Sequence, residues 1–150
     1  MEHQTYCTLL ERHFQKSEYI SVGAVSVKML TAPTGPIAKD YKLFCFVVNS
    51  QEPSQELCTK LVKYALSVTF YDDPSKHGKV AVIPLFVSQS ISDNCSAFIR
   101  KKAQKINGVA VLPAAFDLSG NQLLCCEKFP ALAGGAFRKI SDFAKKLLRA

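Results

Sequence analysis

Two adjacent thiols, Cys125-Cys126, are the first residues of this chain whose type and spacing could do chemistry. Thiol exchange needs one thiolate to attack and a second to resolve the mixed disulfide. Lys128, two residues on, is a cation of the kind that lowers a thiol pKa. In an extended strand, though, neighbouring side chains leave on opposite faces. The pair therefore reads as one buried and one exposed thiol. Cys7, Cys45, Cys58 and Cys95 complete a set of six cysteines. The segment Met1-Glu2-His3-Gln4-Thr5 lacks the charged-then-apolar layout of a signal peptide. No apolar run approaches the roughly 20 residues of a membrane helix. A cytoplasmic location and six reduced thiols without disulfides are the expectation.

Other catalytic constellations are thin. His3, His13 and His77 lie far apart and form no paired Cys/His spacing, so no metal site and no cofactor is expected. A nuclease would need clustered carboxylates to hold a divalent cation beside a phosphate. Asp72-Asp73 precedes Pro74 and reads as a turn. Asp40, Asp117 and Glu127 fall near strands and could converge. No G-x-S-x-G, P-loop or G-x-G-x-x-G motif occurs, so a serine hydrolase and a phosphate cradle lack their signatures.

The stronger signal is charge. Residues 1–75 carry seven Lys and Arg against eight Asp and Glu; residues 76–150 carry twelve against four. The first half is thus at −1 and the second at +8. A basic half attracts an anionic partner, either nucleic acid or an acidic protein. Arg100, Lys101, Lys102 and Lys105 form one cluster and Arg138, Lys139, Lys145, Lys146 and Arg149 another. If the helices that carry them share one side of a sheet, the two clusters make a single patch. No exposed aromatics are interleaved with them to stack bases.

The elements that must position these residues follow from periodicity. The 150 residues fit one α/β domain. Tyr6, Leu9, Leu10, His13 and Phe14 mark a helix over 3–16. Residues 19–30 alternate as a strand whose phase changes beside Gly23, which predicts a β-bulge. A Pro/Gly-rich loop, Thr31 to Pro36, leads to a strand over Tyr41 to Val48. That strand is apolar enough to be buried on both faces, and the length of the connection makes it antiparallel to the first. Pro53 opens a helix with Leu57, Leu61, Tyr64, Ala65 and Val68 inward. Residues 79–87 form a third strand, and Pro84 within it argues for an edge or a bulge. Ser92 or Asp93 caps a helix over 93–106, with Phe98, Ile99, Ala103 and Ile106 on its apolar side and Asn107-Gly108 as its stop. Val109 to Leu118 and Gln122 to Lys128 form a hairpin about Ser119-Gly120, and a last helix runs over 135–148. The order α-β-β-α-β-α-β-β-α predicts a mixed sheet of about five strands flanked by helices.

From Tyr41 onward this succession is similar to the thioredoxin-like fold. The run Asn107-Gly108-Val109-Ala110-Val111-Leu112-Pro113, followed by Ala114-Ala115-Phe116-Asp117-Leu118-Ser119-Gly120, resembles that family's proline-preceded strand, turn and returning strand. Gly134-Gly135 and the last helix resemble its closing segment. The resemblance implies that Pro113 is cis and lies against a redox site, with Cys125 and Cys126 as the redox candidates. The family's C-x-x-C position is here Asn49-Ser50-Gln51-Glu52-Pro53-Ser54, without cysteine. The reading preferred from sequence is a non-enzymatic module docking an anionic partner through its basic half. The alternatives are a divergent thioredoxin-like redox protein or a metal-dependent nuclease.

Overall fold

The computed structural model describes residues 1–33, 41–49, 52–72, 80–101, 103–129 and 134–149. Its elements are α1 (His3–Glu11), β1 (Lys16–Val22), β2 (Val25–Pro33), β3 (Lys42–Asn49), α2 (Gln55–Asp72), β4 (Val80–Ser88), α3 (Asp93–Arg100), β5 (Gln104–Ile106), β6 (Val109–Val111), β7 (Ala114–Asp117), β8 (Gln122–Cys125) and α4 (Gly134–Leu148). Among the described residues the sheet is mixed and has eight strands, more than the roughly five expected. Asp40, Asp73 and Lys102 lie outside the described residues.

The extra strands come from three segments that fold back or break where the sequence reads as continuous. The phase change at Gly23 is a two-residue hairpin turn, not a bulge. Val22 pairs with Val25, and Gly23 takes a positive φ at the first turn position, as such tight turns require. The helix expected over 93–106 stops at Arg100. Residues 104–106 pair antiparallel with 109–111 around Asn107 and Gly108. Both turn residues have positive φ, the left-handed geometry that two-residue hairpins favour. The strand expected over 109–118 is broken at Leu112-Pro113 into β6 and β7, both parallel to β4. The helix expected over 3–16 is shorter, because residues from Lys16 onward enter the sheet.

Pro84 lies in a central strand rather than at an edge. The β4 strand pairs with β3 on one side and with β6 and β7 on the other. The Val82 carbonyl accepts from Leu112 N at 3.0 Å, so residues of Val82's parity turn their backbone groups towards β6 and β7. Pro84 shares that parity. Its missing donor falls on the break at Leu112-Pro113, where the ladder is already interrupted.

Two apolar layers sandwich the sheet. On one face α1 and α4 cover Leu43, Cys45, Ala81, Ile83, Ala110, Ala114 and Phe116 with Tyr6, Leu10, Phe137, Ile140, Ala144 and Leu148. On the other, α2 and α3 cover Phe44, Phe46, Val82, Phe86, Val109 and Ala115 with Leu57, Leu61, Ala65, Cys95 and Ile99. The parallel crossovers β3-α2-β4 and β4-α3-β6 run in the same direction across the sheet. With right-handed connections, that puts both helices on one face. The strand β3 is buried on both sides, as its apolar run predicts, and pairs antiparallel with β2, as the length of the connection predicts.

Candidate functional site

The basic residues divide between the two layers. Arg100 ends α3, whose Cys95 and Ile99 pack in the α2 layer; the second cluster lies on α4, across the sheet. The condition for a single patch is therefore not met: α3 and α4 occupy opposite faces. Lys101 leaves α3 in an extended conformation and places its Nζ 5.9 Å from the Phe98 ring centroid. Lys105 is on a strand, not on a helix. Its cross-strand partner Ala110 belongs to the layer under α4, so Lys105 projects to α4's side.

What remains intact is the outer surface of α4. Phe137, Ile140, Ser141, Ala144 and Leu148 are buried and recur at helical spacing. The residues between them, Arg138, Lys139, Asp142, Lys146 and Arg149, are exposed along one arc, with Lys145 half-buried at its border. Five cations and one acid leave this ridge at +4, spread over about three helical turns. Lys145 and Lys146 in the last turn also complement the helix dipole. Two cations are engaged. Lys145 Nζ is 3.4 Å from Glu127 Oε1, and the Arg138 guanidinium lies 5.8 Å from the Phe129 ring centroid. Among the described residues Lys139, Lys146 and Arg149 make no ion pair. Sequence spacing does not mark Glu127 and Phe129 as neighbours of α4, because the contact is made by chain leaving the end of β8.

The thiols are unbonded and largely buried. All six cysteines are free. The β8 strand ends at Cys125, so the alternation expected across Cys125-Cys126 does not continue, and both thiols lie with the α4 layer. Cys126 is buried, and its Sγ–H donates to the Lys101 carbonyl at 2.6 Å. Cys125 is half-buried, and burial pushes its thiol up to about 11. Burial likewise pushes Cys58 up to about 12 and raises Cys7, Cys45 and Cys95. Thiolates are disfavoured at these five positions, the reverse of a reactive cysteine. Pro113 precedes β7 through a trans peptide bond, so the cis geometry implied by the thioredoxin resemblance is not found.

Of the candidate carboxylates, the described pair Asp117 and Glu127 do not converge. Asp117 closes the β7-β8 turn, its Oδ1 accepting from Ser119 N at 3.0 Å, Ser119 Oγ at 2.9 Å and Gly120 N at 3.1 Å. The Gly120 N–H above all, then the Ser119 hydroxyl, hold this carboxyl below its usual range. Glu127 lies past the far end of β8, beside Lys145. Among the described residues no group of three or more His, Cys, Asp or Glu side chains could hold a metal ion, and no helix is long and apolar enough to cross a membrane. Comparison with protein-family models, with curated proteins and with solved structures gave no match.

Proposed function

We propose that this chain is a binding module that docks the phosphate backbone of a nucleic acid along the outer face of α4. The single observation behind this reading is the exposed arc of Arg138, Lys139, Lys146 and Arg149, with Lys145 at its border and Asp142 as the one acid within it. Long cationic side chains spaced along a rigid helix suit a row of phosphates. The arc carries no aromatic side chain, so it would hold the backbone without reading bases. Lys105, on α4's side of the sheet, would extend the same field.

The test is anisotropy titration of labelled mixed-sequence duplex DNA and single-stranded RNA across a salt series. Binding at low salt should weaken with a log–log slope of about −0.9 per neutralised phosphate, reaching no more than about −5 for the ridge. The variant K139E/K146E should lose at least about tenfold in affinity at low salt. Absence of binding at about 50 mM salt, or equal binding by the charge-reversed variant, would remove this reading. Preference for an acidic polypeptide over nucleic acid of equal charge would also overturn it.

A further inference from the structure

A cleft of about 450 Å³ opens between α2, α3 and the β5 edge, lined by Ser54, Gln55, Phe98, Lys101, Gln104 and Pro113. Its volume falls in the range of roughly 300–1,000 Å³ usual for small-molecule sites. The polar groups along its walls are of three kinds. Gln55 and Gln104 pair their amides reciprocally, Gln104 Nε2 donating to Gln55 Oε1 at 2.9 Å and Gln55 Nε2 to Gln104 Oε1 at 3.4 Å. Each amide still has a second N–H and a second lone pair. Lys101 is exposed, and no carboxylate lies among the described lining residues to neutralise it. Ser54 is occupied, its Oγ accepting from Leu57 N at 3.1 Å. The apolar wall is Phe98 with Pro113, and Phe98 is set edge-on against Phe86, 6.5 Å between centroids, which fixes its ring.

We infer that this cleft binds a mononucleotide, a planar base joined to an anionic phosphate. The Gln55–Gln104 amides meet the donor and acceptor edge of the base, Phe98 and Pro113 pack against its flat surface, and Lys101 takes the phosphate. Apolar walls hold a ring, a fixed amide pair selects one with a hydrogen-bonding edge, and an unneutralised cation favours a charged ligand. Phe98 belongs to the face of the sheet opposite α4, so the cleft stands or falls independently of the ridge.

The full chain should be titrated calorimetrically with the four common nucleoside monophosphates, their four nucleosides and inorganic phosphate. At least one monophosphate should bind saturably, about tenfold tighter than its nucleoside. K101A should lose about tenfold for the monophosphate and little for the nucleoside. Q104E should weaken both, and K16A on β1, at the edge of the sheet opposite β5, should bind as the parent chain does. Both cleft substitutions are at solvent-accessible positions, and a thermal melt would show that each variant is folded. No saturable binding of any monophosphate at millimolar concentration overturns the inference, as does equal affinity of K101A and parent. Inorganic phosphate binding as tightly as the monophosphate would remove the role given to the ring.

Discussion

Glu11 of α1 and Lys28 of β2 form an ion pair in which the lysine side chain is only 8% exposed and the glutamate 35%. Ser17 Oγ donates to the same carboxylate at 3.0 Å, and Lys28 Nζ lies 5.0 Å from the Tyr19 ring centroid. The pair ties the end of the first helix to the sheet. Removing one partner of a fully buried pair costs about 3–5 kcal/mol, whereas an exposed pair contributes under about 1 kcal/mol. With Glu11 one-third exposed, E11Q should cost about 1–2 kcal/mol. The hydrogen bond from Lys28 holds the Glu11 carboxyl below its usual range. Burial alone would lower Lys28, but the hydrogen bond and charge of Glu11 raise it on balance. A depressed acid contributes above its unfolded pKa and loses that contribution as pH falls through the folded value. A raised lysine contributes below its unfolded pKa and loses it as pH rises through the folded one. The stability gap between parent and E11Q should therefore be flat from about pH 5 to 10 and close on either side. Urea unfolding over that range measures it; a gap that persists undiminished at about pH 3 would contradict the ion pair's role.

Tyr6 joins the two ends of the chain. Its ring stacks on Phe116 with centroids 3.8 Å apart, and its hydroxyl donates to the Leu148 carbonyl at 2.6 Å. Y6F keeps the stack and leaves a buried acceptor near the end of α4 without that donor. The expected loss is about 1–2 kcal/mol, read from chemical unfolding midpoints. Burial, with the neighbouring thiols, raises the Tyr6 hydroxyl far above the ordinary tyrosine range. In an alkaline absorbance titration Tyr6 should ionise only when the chain unfolds, and a Y6F difference spectrum showing reversible ionisation near about pH 10 would contradict this burial.

Reagent titration of the thiols separates a binding module from a redox protein. Five of the six cysteines are buried and Cys125 is half-buried with a raised pKa. The folded chain at neutral pH should show at most one thiol reacting with an aromatic disulfide reagent, and slowly. All six should react in denaturant. C125S should abolish the native reaction. Two fast-reacting thiols, or a pair that interconverts reversibly under mild oxidant, would restore the redox alternative.

The helical stripes were legible because one periodicity served one element. Phe137, Ile140, Ala144 and Leu148 bury one side of α4 and leave its cations outward, as their spacing requires. Ser92 caps α3 by accepting from Cys95 N at 3.0 Å, as its type suggests. Failures came where one local signal serves two structures. Asn107-Gly108 stops a helix and equally turns a hairpin, and Phe98, Ile99, Ala103 and Ile106 fit a helix until the chain leaves it after Arg100. Gly23 marks a phase change that either a bulge or a tight turn produces. The division of the basic clusters between two faces was not legible, because it follows from the direction of the crossovers across the sheet rather than from any residue. The cleft was hidden for a similar reason: Gln55 and Gln104 are 49 positions apart and meet only through that topology.

The Asn107-Gly108 turn governs which side of the sheet receives Gln104 and which receives Lys105. Gly108 takes a positive φ, and a Cβ there would meet nothing within 4 Å. The cost of G108A is therefore purely conformational, about 1–2 kcal/mol, while G108N should cost less because asparagine tolerates the left-handed region. Neither should alter the register in which Lys105 pairs with Ala110. Deleting Gly108 removes the two-residue geometry, and a slip of one residue sends every side chain of a strand to the opposite face. Lys105 would then leave α4's side, and Gln104 would leave Gln55. Backbone NMR should show the Lys105–Ala110 cross-strand contact in parent and G108A but not in the deletion. The deletion should also weaken monophosphate binding, while G108A should not. Retention of that cross-strand contact in the deletion would mean that β6, rather than the turn, fixes where these two side chains point.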